Sequence, residues 1–428
     1  MTSVRLGGMS GLPDAVVHVP GSKSVANRAL VCAALAPEGA VSHVRNVPGG
    51  DDCAAMLRAL VACGSAHGDE IRGGLFPHGA DRFDAGIAGT TSRFLTAVAA
   101  LSPSGIVIDG GDPLRRRPMA DLHEALRHLG ARVDAVDGAA PGHLPVRVSG
   151  GDLVGGSVAI RGDVSSQFIS ALMLVGPVMR DGLRISVSGT LVSRPYVEMT
   201  AEVMRAFGAQ VEIDSDHITV HPGAYHRTDY EVEPDFSSAA FAVMSLAFSP
   251  GRVRVPRLHT AMLQGDSLVL DIARTMGMTV AFDGDDVLVE VSPGTILSPV
   301  SVNLSDASDL VPAVVVACTA IPGVSTISGV GFIRAKESDR LGDLASELND
   351  AGASVTVTDD GLSVVGGSRL RPEGPFATHH DHRLAMAFSL PAAGGVQVDI
   401  ADAEVVSKSW PTFFTDMVAL LGPATTLN

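Results

Sequence analysis

Residues 234–248 read PDFSSAAFAVMSLAF: Pro and Asp, then small polar residues, then an apolar run without a charge. A helix that is apolar on every side must be buried, and Ser, Thr or Asp at its start can satisfy the first free N–H groups. The same pattern recurs in PGSKSVANRALVCAALA (20–36), GIAGTTSRFLTAVAALS (86–102), GDVSSQFISALMLVGP (162–177), SDASDLVPAVVVACTA (305–320) and HDHRLAMAFSLPAAG (380–394). Anchored at Ser24, Thr91, Ser166, Ser238, Ser308 and His382, the copies are 67 to 75 residues apart. A second set of runs interleaves with the first: AAMLRALVACG, LHEALRHLG, TAEVMRAFG, VLDIARTMG, LASELNDAG and FFTDMVALLG. These are amphipathic and close on Gly64, Gly130, Gly208, Gly277, Gly352 and Gly422, spaced 66 to 78 residues apart. Two unrelated anchors with one period mean six copies of one unit.

After the glycine-terminated helices come runs of period-two alternation with an acidic or Gly-containing turn. Examples are ARVDAVDG, AQVEIDSDHITVH, MTVAFDGDDVLVEVS and ASVTVTDDGLSVVGG. They read as hairpins. The unit is therefore an α/β module of buried helix, strand, outer helix and hairpin, and six such modules fit two three-unit domains. The expected caps of the buried helices are Ser22 or Ser24, Thr90, Ser165, Asp235 or Ser237, and Ser305 or Asp306. Side-by-side packing of three such helices in each domain would put their positive ends on one face. Two such faces opposed across a cleft would suit an anionic ligand.

Composition narrows the function. Of 428 residues, 46% are apolar and 18% charged, enough for large cores, and the formal charge of −16 argues against a nucleic-acid or anionic-membrane surface. Four Cys without a CxxC pair exclude a disulfide framework and a Cys-type zinc site. Cys32, Cys53, Cys63 and Cys318 fall on apolar helical runs, where a buried, inert thiol is expected. No signal sequence or membrane span is read, so a soluble cytoplasmic protein is expected. A metal site at His379, His380 and His382 lacks a carboxylate partner set at helical spacing.

In so acidic a chain the placement of cations is informative. Lys23 and Arg28 flank the first buried helix, Arg93 lies one turn into the second, Arg117 ends RRRPM and Arg194 sits in SRPY. Lys336 and Arg340 belong to RAKESDR, Arg383 to DHR and Lys408 to SKSW. Arg suits a bidentate grip on carboxylate or phosphate, and Lys a compact charge beside a phosphoryl group.

The motifs PGSKSVANRAL, AGTTSRFL, RRRPM, SSQF, SRPY, KESDR, DHRLAM and SKSW, in this order over nearly the whole chain, resemble the EPSP synthase family of enolpyruvyl transferases. The resemblance implies a two-domain inside-out α/β barrel of six βαβαββ-type repeats. Residues 21–234 would form one domain, and 1–20 with 235–428 the other, with the active site in the cleft between them. It implies transfer of the enolpyruvyl group of phosphoenolpyruvate to shikimate 3-phosphate by a monomer without cofactor or metal. Shikimate 3-phosphate would be held by Lys23, Ser24, Arg28, Ser165, Ser166, Gln167, Ser193, Tyr196, Asp309 and Lys336. Phosphoenolpyruvate would be held by Lys23, Gly89, Arg117, Gln167, Arg340, Arg383 and Lys408. Glu337 would donate the proton to C3 and Asp309 accept the hydroxyl proton, with Lys23 and Lys408 able to assist. Ile87 and Phe332 stand where the family often has Asn, so two side-chain hydrogen bonds to substrate are not expected here. The related UDP-N-acetylglucosamine enolpyruvyl transferases usually carry a reactive Cys in a mobile loop, where this chain has RRRPM. A non-catalytic phosphometabolite-binding protein of the same fold would be expected to lack Lys23, Asp309 or Glu337, and all three are present.

Overall fold

The sequence period reappears as a repeated sheet. In a computed structural model, which describes residues 2–8, 14–74, 80–259 and 261–427, Arg82–Asp84 lies parallel to Ile106–Asp109. The second of these strands pairs antiparallel with Val146–Ser149, which forms a hairpin with Arg132–Ala135. A parallel pair needs a crossover, and the apolar helix Gly89–Ala99 supplies it. The amphipathic helix Ala120–His128 then leads into the hairpin, completing β-α-β-α-β-β.

Four other sheets have the same order, one parallel pair followed by a hairpin. Their parallel pairs are Asp229–Glu231 with Val41–Arg45, Gly156–Arg161 with Leu183–Ser188, Asp14–Val16 with Gly251–Val255, and Ser301–Asn303 with Gly323–Ser328. The sixth departs from the others. Ser3–Leu6 lies between Val398–Ile400 and Ala424–Leu427, antiparallel to both.

Two compact units result: Gly21–Glu233, and Met1–Pro20 with Pro234–Asn428. In the first, the helices Lys23–Ala34, Gly89–Ala99 and Ser166–Val175 pack on one another; in the second, Phe236–Ser245 and His382–Phe388 pack on Val311–Ala320. Every residue of Phe236–Ser245 and His382–Phe388 is buried. Lys23, Ser24, Thr90 and Gln167 are the residues of the first three helices that are not buried, and all four sit at the N-terminal ends. The helices are inside and the sheets outside, the reverse of an ordinary α/β layer arrangement.

The outer helices end as their glycines require. All six closing glycines have positive φ, between 73° and 100°. In five, the N–H of the next residue reaches back to the last helical turn, as Ala131 does to Leu126 at 3.0 Å and Ala209 to Met204 at 3.0 Å. That is the Schellman pattern, which a glycine adopts without a Cβ clash. Gly130 and Gly208 separate two costs. A Cβ at Gly130 meets nothing within 4 Å, whereas at Gly208 it would stand 2.5 Å from the His226 ring. Gly130→Ala should therefore lose about 1–2 kcal/mol from φ alone, and Gly208→Ala clearly more. Equal losses on denaturant unfolding would show that His226 gives way freely.

Candidate functional site

Three of the cations singled out by the motifs in the second unit, Arg340, Arg383 and Lys408, meet in one buried network. Asp309 sits on the 3-10 turn Ser308–Leu310, Arg340 opens the helix Arg340–Asp350, Arg383 is the second residue of His382–Phe388, and Lys408 ends the turn Ala403–Lys408. Arg340 donates from Nη1 to Asp309 at 2.9 Å, from Nη2 to Glu337 at 2.8 Å and from Nε to Asp381 at 2.6 Å. Arg383 reaches the other Asp309 oxygen at 2.8 Å, and Lys408 the other Glu337 oxygen at 2.7 Å. The side chains of Arg340, Arg383 and Lys408 are at most 5% exposed, against 19% for Asp309 and 14% for Glu337. The carboxylates thus form the solvent-side fringe, with the cations behind them.

Asp381 is the member that sequence reading missed. It is fully buried, caps the helix His382–Phe388 by accepting from the Arg383 N–H at 2.9 Å, and anchors Arg340. A signal was present, because the Asp of DHR precedes an apolar run at a cap position. Burial works against the charge on Arg340, but Asp381, Glu337 and Asp309 together hold its pKa above the ordinary value. Arg383 is likewise raised despite its burial, chiefly by Asp309. Lys336 Nζ lies 5.8 Å from the Phe332 ring centroid, within reach of a cation–π contact.

Asp266 is a further buried carboxylate at this place. It accepts from the Ser237 hydroxyl, and the preceding Gln264 locks the turn by bonding the Phe236 N–H at 2.8 Å and the Pro234 carbonyl at 2.7 Å. Burial, then the charge of Asp309, push its pKa up to about 7 against the opposing pull of Ser237 and Arg383. An unfolded aspartate titrates near 4, at about 3.9. Between about pH 4 and 7 the folded chain therefore holds a proton that the unfolded chain has released. This contribution is complete at low pH and is lost at about 1.4 kcal/mol per pH unit as pH rises towards 7. Asp266→Asn should flatten that part of a stability-against-pH curve, and an unchanged slope would mean that Asp266 titrates as an ordinary carboxylate.

The first unit holds the other candidate residues. Lys23 Nζ pairs with Asp52 at 3.0 Å, and Asp52 is itself buried at the start of the helix Asp51–Ala62. Gly89 is the first residue of its helix, where a Cβ would stand 2.8 Å from Arg117 Nη1, so the absence of a side chain is what admits Arg117. Arg93 donates to the Gly89 carbonyl at 3.1 Å. Ser165 caps Ser166–Val175 by accepting from the Gln167 N–H at 3.3 Å, with Ser166 buried behind it. Ser193 holds a left-handed φ of 55° at the start of Arg194–Ala206. Arg28 is 1% exposed and donates to Thr200, Ser170 and the carbonyls of Ser24 and Tyr196. Burial lowers its pKa to about 10. These four acceptors already draw on most of its five N–H donors, so Arg28 braces Ser24 and Tyr196 in this state.

Other expectations need correction. The cap of Gly89–Ala99 is Ala88, not Thr90, and a 3-10 turn precedes Val311–Ala320, so neither Ser305 nor Asp306 caps it. Among the buried helices, side-chain caps occur at Ser165, Asp235 and Asp381, whereas Lys23–Ala34 and Gly89–Ala99 have no side-chain cap bond. Cys32, Cys53 and Cys318 are buried but Cys63 is half-exposed. Burial pushes the Cys32 thiol up to about 12 and those of Cys63 and Cys318 to about 11, which disfavours thiolate chemistry. Ile87 is 36% exposed. His379 faces Glu347 and His382 is fully buried; among the described residues no group of three or more His, Cys, Asp or Glu could hold a metal ion. No described helix is long and apolar enough to cross a membrane.

Known proteins share both the sequence and this architecture. The family described as EPSP synthase (3-phosphoshikimate 1-carboxyvinyltransferase) matches residues 12–417. A 3-phosphoshikimate 1-carboxyvinyltransferase of Methanothermobacter thermautotrophicus is 41% identical over 94% of this chain and 95% of its own. One from Edwardsiella ictaluri is 36% identical over 95% and 96%. The solved EPSP synthase of Acinetobacter baumannii superposes with a TM-score of 0.82 at 25% identity, with both chains fully covered. With its repeated βαβαββ sheets and its KESDR, DHR and SKSW side chains in one network, this chain belongs to the EPSP synthase family.

Proposed function

We propose that the protein is the transferase that joins phosphoenolpyruvate to the 5-hydroxyl of shikimate 3-phosphate, releasing phosphate. The observation that carries this reading is the pairing of two carboxylates, Asp309 and Glu337, with three buried cations, Arg340, Arg383 and Lys408. The substrates together bring about six negative charges, and a charge buried without partners is too costly to desolvate. Arg340, Arg383, Lys408, Arg117 and Lys23 supply the compensation for phosphoenolpyruvate. Ser165, Ser166 and Ser193 cradle the shikimate phosphate, Lys23 touches both substrates, Gln167 lies between them with Tyr196 nearby, Ser24 and Arg28 take the shikimate carboxylate end, and Lys336 and Asp309 its hydroxyls.

The chemistry is addition followed by elimination. Glu337 gives a proton to C3 of phosphoenolpyruvate, which makes C2 electrophilic, while Asp309 takes the proton of the attacking 5-hydroxyl. The C2–O bond forms and leaves a tetrahedral ketal phosphate. Glu337 then takes a proton back from the new methyl group, the C2–O bond to phosphate breaks as Asp309 returns its proton to the departing phosphate, and the enol ether of the product remains. Both carboxylates are bonded to the cations that phosphoenolpyruvate requires. Its anionic groups therefore compete with Asp309 and Glu337 for the same N–H donors. That exchange frees Asp309 to accept a proton and Glu337 to take one up from solvent for delivery to C3 as substrate arrives.

The same reading takes the protein as a cytoplasmic monomer. The purified protein should release inorganic phosphate only when both substrates are present. No release, or release with UDP-N-acetylglucosamine in place of shikimate 3-phosphate, would overturn the assignment.

A further inference from the structure

Two adjacent residues beside the cation network hold a backbone conformation that L-residues avoid. Thr378 to Asp381 form a turn closed by the Asp381 N–H donating to the Thr378 carbonyl at 2.8 Å. Its central residues, His379 and His380, have φ of 50° and 58°. Two successive positive φ values are the pattern of a type I′ turn, which Gly, Asn and Asp dominate. Histidines persist there only where the surroundings over-determine the conformation, and such strain gathers at functional sites. This turn leads directly into Asp381 and Arg383.

What over-determines it is one face of the neighbouring helix. Arg340, Asp343 and Glu347 stand at i, i+3 and i+7 of Arg340–Asp350, on one side. Arg340 holds Asp381 at 2.6 Å. One Glu347 oxygen accepts from the Ala377 N–H at 2.9 Å, and the other pairs with His379 Nε2 at 2.9 Å. Asp343 lies 3.7 Å from His379 Nδ1. The helix that delivers Arg340 thus fastens the strained turn on both flanks. His379 is 33% and Glu347 17% exposed, so the pair does little for the hydrophobic core; its effect is geometric.

We propose that Glu347 and His379 are positioning residues, which hold the Thr378–Asp381 turn in its strained form and so keep Arg383 and Asp381 aligned with Arg340 for phosphoenolpyruvate binding. This inference rests on the function proposed above. The test uses full-length Glu347→Ala, His379→Gly and the double variant, reading both KM values, kcat, and amide exchange over residues 377–383. Each single variant should raise the KM for phosphoenolpyruvate about tenfold, a modest share of what a small misplacement can cause, and speed exchange at Ala377 and Arg383. The KM for shikimate 3-phosphate should stay within about twofold, and the double variant should be little worse than either single, as coupled residues are. Glu347→Gln, which keeps one acceptor and the side-chain shape, gives a smaller effect in the same direction and serves if the alanine variant does not fold.

His379→Gly is the discriminating case, because glycine accepts positive φ freely. If the turn needed only a residue that tolerates positive φ and not the bond to Glu347, that variant would bind phosphoenolpyruvate as well as the parent, and the proposal would fail. It would also fail if both KM values rose together, or if exchange quickened with KM unchanged. Should the parent protein itself turn over neither substrate, the functional reading falls separately. Exchange then still decides the tether: faster exchange in the variants sustains it, and unchanged exchange ends it.

Discussion

Glu337→Gln is expected to lower kcat by about 10²–10⁴-fold, the usual worth of a positioned general acid, without raising the KM for phosphoenolpyruvate. The side chain is bonded to Arg340 at 2.8 Å and Lys408 at 2.7 Å, so an isosteric amide preserves the packing. It removes both the proton to be delivered and the charge that competes for these two cations. Weaker competition favours the incoming anion, so substrate affinity should hold or improve while turnover collapses. That combination separates an acid from a binding residue, whose loss appears first in KM. Steady-state rates with each substrate varied in turn would decide it. Near-normal turnover would remove Glu337 as the donor, and a large rise in the KM for phosphoenolpyruvate would make it a structural brace instead.

Asp381→Ala should destabilise its unit by about 3–5 kcal/mol, the loss expected on removing one partner of a buried ion pair. The substitution also deletes the cap of His382–Phe388, itself worth about 1 kcal/mol. Arg340 is 1% exposed and keeps Asp309 and Glu337, which holds the loss within that range. Asp381→Asn separates the two effects, since asparagine caps a helix well but carries no charge. It should recover the cap and leave most of the ionic penalty. Denaturant unfolding of the three proteins reads both quantities. If alanine and asparagine variants were equally stable, the cap would contribute nothing; if both matched the parent, Asp309 and Glu337 alone would suffice for Arg340.

Much of this protein is written in local signals that the chain repeats. The run Val311–Cys318 is apolar throughout, and wherever it sits it must be buried. Gly130, Gly208 and their counterparts end amphipathic helices in a conformation glycine alone adopts readily, so the breaks between outer helices and hairpins are visible residue by residue. These features depend on neighbours a few positions apart, and six copies average away coincidence. The motifs KESDR, DHR and SKSW likewise marked which charges to watch.

The pairing of those charges was decided by tertiary structure. Asp309 meets Arg340 across 31 positions and Arg383 across 74, and Glu337 meets Lys408 across 71. No periodicity relates such partners, because they are joined by helices and strands whose lengths cancel in three dimensions. The caps show the same limit. Thr90 has the right chemistry, but the chain enters that helix at Ala88; the last cap falls to Asp381, whose second oxygen also holds Arg340. The strained turn at His379 and His380 lies furthest from local logic, since intrinsic preference opposes it. Glu347 and Arg340, brought alongside by the fold, bond that turn on both flanks.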